Sequence, residues 1–179
     1  MSENIKDMGL DEETKDFCIE KLKDVEKVAK IVGYETQFTN LLDGLPTLVI
    51  GVEKNYKNED TIATCTALPL QIRGNGYLIL QFNVIINTVI PEDKKDLIDE
   101  LKNIINNKFM VGTLLNYDGN LSVKYCLYLS SEKEIDQLAI AKTIEIITIE
   151  ADEVLKKVDK LISGEILLSD IIDEEKYFD

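Results

Sequence analysis

Apolar residues recur at steps of three or four between positions 130 and 164: Ile135, Leu138, Ala141, Ile144, Ile147, Ala151, Leu155, Val158 and Ile162. That spacing places them on one stripe of a 3.6-residue helix. Ser131 stands three residues before Glu134, a Ser-x-x-Glu capping box that satisfies two amide donors exposed at a helix start. Gly164 supplies the stop. Ile140, Ile146 and Ile149 widen the stripe. Thr143 to Ile149 is crowded with β-branched residues and has strand propensity. Helical pattern continues on both sides of it with no turn residue between, so helix is predicted throughout. A helix of this length spans about 45 Å and cannot bury such a stripe alone. It needs a sheet, or a partner's helix, to lie on.

The earlier part of the chain offers that sheet. A first helix is predicted from Asp11 to Val32, with Asp11, Glu12 and Glu13 in the favourable first turn. Phe17, Cys18, Leu22, Val25, Ala29 and Val32 share one face of it, and Gly33 ends it. Tyr34 to Gly44 reads as a connection and Gly44-Leu45-Pro46 as a turn. Thr47 to Glu53 alternates Leu48, Ile50 and Val52 against Thr47, Val49 and Gly51, the period of a strand. After a polar turn at Asn55 to Asp60, a second strand runs from Thr61 to about Ile72, and Pro69 makes that end a sheet edge or a bulge. Arg73-Gly74-Asn75-Gly76 is a hairpin turn, and Tyr77 to Ile90 is the longest strand, with Leu80, Phe82, Val84 and Ile86 inward.

Pro91 opens a helix from Glu92 to about Lys108 with Leu97, Leu101, Ile104 and Ile105 buried. Val111 to Tyr117 is a short strand with Leu115 among its inward candidates, and Asp118-Gly119 is a second hairpin turn. Leu121, Val123, Tyr125, Leu127 and Leu129 alternate on the returning strand. The order α-β-β-β-α-β-β-α, with strands in runs, predicts a single α+β domain in which helices pack on a five-stranded antiparallel sheet. Residues 1–10 are read as a loose start, 11–164 as the domain and 165–179 as an acidic, apolar tail. Two readings of the tail stand open. Ile166, Leu167, Ile171 and Ile172 pack back as a short helix started by Ser169 or Asp170, or the segment docks in an apolar groove of a partner or a second protomer.

Charge and residue types narrow the function. A net charge of −14, from 34 acidic against 20 basic residues, repels phosphate backbones and anionic lipid alike. No nucleic-acid or membrane partner is expected. The start, Met-Ser-Glu-Asn-Ile-Lys-Asp, has no signal-peptide character, and no run of apolar residues is long enough to span a membrane. Cys18, Cys65 and Cys126 are odd in number and form no Cys-x-x-Cys pair, as suits reduced thiols packed in a cytoplasmic protein. Histidine is absent, and with it the commonest general base and transition-metal ligand. There is no Gly-x-Ser-x-Gly elbow or P-loop, and Gly74-x-Gly76 alone makes no dinucleotide site. Glu59-Asp60 or Asp118 are candidates for a glycosidase carboxylate or a Mg²⁺ ligand, but all three fall in predicted turns. Asn116 to Asn120 looks in part like a calcium loop, without the bidentate acid that closes one. No catalytic residue, cofactor or metal is assigned.

The stretch from Ile105 to Leu129, with Asn106, Phe109, Gly112, Asp118-Gly119, Val123 and Tyr125, resembles the central signature of the YbjN-like proteins, whose fold is shared with type III secretion chaperones. The order of elements extends the resemblance over about residues 11–164, while the motif itself covers some 25 residues. The chain departs from the pattern at Lys124, where an arginine is frequent before the aromatic residue. The resemblance implies a small, acidic, often dimeric domain without catalytic residues, which in the secretion chaperones holds non-globular client segments. The expected function is therefore a chaperone-like or regulatory protein-binding module that presents an apolar surface to a client. A small-molecule binder or carboxylate-dependent enzyme is the alternative. A homodimer is expected, because three apolar helix stripes exceed what a five-stranded sheet covers.

Overall fold

In the computed structural model, which describes residues 11–40, 44–72, 75–107, 112–117, 120–130 and 134–173, each helix starts where an acidic side chain or a tight turn meets its free amides. Asp11 Oδ1 accepts from the Thr14 N–H at 2.7 Å, and helix α1 follows at Glu12–Ile31. Cys18, Leu22, Val25, Val28 and Ala29 are its buried face. Val28 takes the place expected of Val32, which lies past the helix end and is 46% exposed. Helix α3, Gln137–Ser163, starts six residues after Ser131 rather than at it. Asp136 Oδ1 accepts from the N–H of Leu138 at 2.9 Å and of Ala139 at 3.2 Å, so this carboxylate caps the helix and Glu134 and Ile135 precede it. Ser131 lies outside the described residues.

The β-branched run of α3 is helical, as expected. Each of those residues loses only tenths of a kcal/mol in helix propensity, whereas burying an isoleucine such as Ile144 or Ile147 contributes about 1.5–3 kcal/mol. Packing decides the contest. The buried stripe of α3 is Ile140, Ile144, Ile147, Ala151, Val154, Leu155, Val158 and Leu161, while Leu138 is 68% exposed because it sits in the first turn. Gly164, at φ +76°, ends the helix as the N–H of Glu165 turns back to the Lys160 carbonyl at 2.9 Å.

The sheet is antiparallel and has six strands, not five, in the order β1-β2-β3-β4-β6-β5. The added strand is β1, Glu35–Asn40, within the stretch read as a connection. Its sequence, Glu-Thr-Gln-Phe-Thr-Asn, has no apolar alternation, since its side chains are mostly exposed on both faces. Its main chain pairs with β2, Pro46–Val52, in a register that sets Phe38 opposite Leu48 and Thr39 opposite Thr47. The Thr36 hydroxyl donates to Glu26 of α1 at 3.1 Å.

Strands β3, Thr61–Ile72, and β4, Asn75–Ile86, follow. The Thr47 and Thr66 hydroxyls share a 3.0 Å hydrogen bond. Because Thr47 is the second residue of β2, the end of β3 that holds Pro69 runs past β2, where no donor is needed on that side. The turn at Arg73-Gly74 lies outside the described residues. Strand β4 stops four residues short of Ile90, where the Thr88 N–H folds back to the Ile86 carbonyl at 3.0 Å and Val89 is 87% exposed.

A 3₁₀ turn, Glu92–Lys94, leads into α2, Lys95–Asn106, which buries Ile98, Leu101 and Ile105. Leu97 and Ile104 flank that face half-buried. In β5, Thr113–Tyr117, Leu114 is buried rather than Leu115, because it pairs across from the buried Val123 of β6, Asn120–Ser130. Tyr117 pairs with Asn120, and the hairpin turn predicted at Asp118-Gly119 lies outside the described residues. A fourth helix, α4, Leu168–Asp173, follows α3. The Leu167 N–H donates to Asp170 Oδ2 at 2.8 Å, and Ile171 is buried while Leu167 and Ile172 are exposed. Among the described residues of the tail, Ile171 packs inward as the first reading required and Ile166 is half-buried. Residues 1–10 and 174–179 lie outside the described residues.

Contacts divide the chain into two compact units, Met1–Val52 with Ile62–Phe82 and Cys126–Ile144, and Glu53–Thr61 with Asn83–Tyr125 and Glu145–Asp179. In the first, α1 packs on β1 and β2; in the second, α2 packs on β5 and α4. No helix among the described residues is long and apolar enough to cross a membrane.

Candidate protein-binding surface

Strand β4 shows the geometry from which the candidate surface is built. Leu78, Leu80 and Phe82 are buried on one side, and the alternating Tyr77, Ile79 and Gln81 are half-buried on the other. Strand β3 repeats the division. Ala63, Cys65 and Ala67 are buried, while Ile62, at 46% exposure, and Leu70, at 36%, stand on the opposite side. Val49 of β2 and Cys126 and Tyr128 of β6 occupy the matching alternate positions. Antiparallel sheets with one wet face ordinarily carry polar residues there. Here Val49, Ile62, Leu70, Tyr77, Ile79, Gln81, Cys126 and Tyr128 include no charge in a chain with 30% charged residues, while Thr47, Thr64 and Thr66 share their side and Glu35, opposite Gly51, stands at its β1 edge. Thr47 and Thr66 are buried, their hydroxyls closed on each other and on the Leu45 carbonyl.

The first unit also holds a cavity of about 300 Å³ lined by Ile19 and Lys23 of α1, by Phe38, Thr39 and Asn40 of β1, and by Pro46. Its size is at the lower end of small-molecule sites. Among the described residues of its lining Lys23 is the one ionisable side chain.

In the second unit the chain segment Asn55–Asp60 is tied to α3. The Tyr56 hydroxyl donates to Asp159, and the Tyr56 N–H donates to Asp152 Oδ1 at 2.7 Å. The Lys57 ammonium lies 2.5 Å from Asp159, and Lys156 bridges to Asp152 at 2.9 Å with its ammonium 5.8 Å from the Tyr56 ring centroid. Desolvation, then the bond to Asp159, pushes the Tyr56 phenol up to about 12. This network was invisible in the sequence, since its members lie about a hundred positions apart. The adjoining cavity, lined in part by Glu53, Asp60 and Asp152, holds about 30 Å³. That is the volume of one water molecule and not of a substrate.

The acids singled out from the sequence are dispersed. Glu59 accepts from the Asn55 side chain at 3.1 Å, and Asp60, almost wholly exposed, faces Lys54 at 3.7 Å. Both serve the turn. Asp118 and Gly74 lie outside the described residues. Asn116 donates to Asp99 at 3.1 Å and Asn120 to the Tyr117 carbonyl at 3.2 Å, as hairpin and helix contacts. Among the described residues no group of three or more acids and cysteines is placed to hold a metal ion. Burial raises the Cys18 thiol to about 11 and raises Cys65 further, and Cys126 is half-buried. No protein-family model matches the chain, and no curated protein matches it.

Proposed function

We propose that this chain is a cytoplasmic protein-binding module without catalytic function, chaperone-like or regulatory, that holds an apolar segment of a client protein, and that it works as a homodimer. The observation that carries the reading is the group of apolar side chains on the outer face of β3 and β4 in the first unit, with Ile62, Leu70 and Ile79 standing where polar residues would serve a solvated sheet. The resemblance to YbjN-like proteins and secretion chaperones supports the same reading. The alternative of a carboxylate-dependent enzyme gains least from the geometry, because the described residues that line the larger of the two cavities include no acid and the smaller has room for one water molecule.

The original reason for expecting a dimer has gone, since the stripes of α1, α2 and α3 are buried within one chain. The homodimer now rests on the open edge of the sheet. For the client surface the test is capture from the native host with the wild-type protein and with the double variant Ile62→Lys, Ile79→Lys. A client retained by the wild type and lost by a variant that melts at the same temperature is the expected result. Equal retention by both sinks the proposed surface.

A further inference from the structure

Strand β1 carries few of the devices that keep an exposed edge from pairing. Glu35–Asn40 contains no lysine and no proline, and its one charge, Glu35, stands at one end. All but Thr36 of its residues are exposed. Among the described residues, no backbone hydrogen bond reaches it except from β2.

We propose that β1 is the homodimer interface: two copies of this chain pair antiparallel along β1 about a two-fold axis normal to the sheet, so that the sheet continues from one copy into the other. The inference deepens the homodimer reading and rests on it; it does not involve the client surface. A two-fold axis at Gln37 brings Glu35 of one copy toward Thr39 of the second, on the same face, and keeps the two carboxylates at opposite ends of the seam. In a chain of net charge −14 most surfaces repel a second copy, and this strand is neutral from Thr36 to Asn40.

The cavity supplies an independent reason. Phe38 is opposite Leu48, hence on the α1 side of the sheet, and is 36% exposed beside the cavity of about 300 Å³ that it lines with Ile19 and Lys23. An axis normal to the sheet leaves the second copy's Phe38 on that same side and next to the first. The space beside β1 then receives two aromatic rings that each copy alone leaves half in water.

Light scattering at micromolar concentration reads the outcome as mass. The wild type is expected at twice the 20.3 kDa of one chain. Gln37 is exposed and close to the axis, so Gln37→Lys and Gln37→Glu each set like charges against each other and are expected at the mass of one chain, with the folded circular dichroism of the wild type. Mixing the two variants restores the mass of two chains. A wild type at one chain's mass overturns the homodimer reading together with this interface. If the wild type is a dimer and both variants remain dimers, the β1 interface alone is overturned. Monomeric variants whose mixture stays monomeric overturn the antiparallel pairing as well.

Discussion

The two edges of the sheet are strands of similar length, six residues in β1 and five in β5, yet one is bare and the other is sealed. The seal on β5 is a side chain. The Asn106 Nδ2 group donates to the Leu114 carbonyl at 2.9 Å, and the Leu114 N–H donates to Asn106 Oδ1 at 2.6 Å. The amide of a helix residue thus occupies the place a neighbouring strand's backbone would take. Asn116 of β5 adds a bond to Asp99, also on α2. Strand β1 has a helix beside it too, but α1 offers it the Glu26 carboxylate, which accepts from the Thr36 hydroxyl, and among the described residues no backbone bond reaches its outer side. An edge is therefore closed by where a donor-acceptor side chain falls on the helix beside it. The presence of a helix is not enough.

Replacing that side chain gives the largest expected effect. Asn106→Leu strands the Leu114 N–H and C=O without their partner, at a cost of about 2–4 kcal/mol, whereas Gln37→Ala on β1 stays within about 0.5 kcal/mol. Chemical denaturation of both variants measures the difference. If Asn106→Leu costs no more than Gln37→Ala, water serves Leu114 as well as the asparagine does and the contrast between the edges dissolves.

A smaller effect separates two glycines beside these strands. A Cβ on Gly112, just before β5, would lie 2.6 Å from Glu150 Oε2 and 2.7 Å from Val123 Cγ1, and Val123 is wholly buried. A Cβ on Gly51, which pairs with Glu35 of β1, meets nothing nearer than 3.8 Å. Gly112→Ala is expected to cost about 1–3 kcal/mol by overpacking, and Gly51→Ala to stay within about 0.5 kcal/mol. Thermal melting of the pair checks it, and equal midpoints would show that the β5 side is no more tightly packed.

The smallest effect is on acid stability. The hydrogen bond from Lys102, and then that from Asn116, hold the Asp99 carboxyl below the usual carboxylate range. With its folded pKa below the unfolded one, the group stabilises the fold above the unfolded value near about 3.9, and that contribution is lost as pH falls through the folded value. Its side chain is 51% exposed, so the contribution is a few tenths of a kcal/mol, about that of a surface pair. Asp99→Asn should flatten stability against pH in that acid window and nowhere else. A loss that persists undiminished below that window, with the acid slope unchanged, would assign Asp99 a packing role instead.

Much of the fold was legible because it is written in local periodicity. The alternation from Leu80 to Ile86 and the pairing of β5 with β6 each involve neighbours in sequence, and α1 was bounded to within a residue by Asp11 and Gly33. The errors share a cause as well. Ser131 and Asp136 both suit a helix start, and local spacing favoured the serine while the chain caps with the aspartate. Leu115 and Leu114 are equally apolar, and only the pairing with Val123 selects between them. The apolar outer face was half visible, since the notable residues Ile79 and Ile62 lie on separate strands and become one surface only in the sheet.

Composition and period were sufficient for the α+β class, for helices that must lie on a sheet, and for the acidic balance that disfavours nucleic acid, because those properties belong to single segments or to the whole chain. The sixth strand, the Asn106 clasp on β5 and the tie between Tyr56 and Asp159 were decided by tertiary structure. A polar strand is stabilised by main-chain bonds that any sequence can make, and a side-chain clasp depends on the approach of distant residues. Neither leaves a period to read.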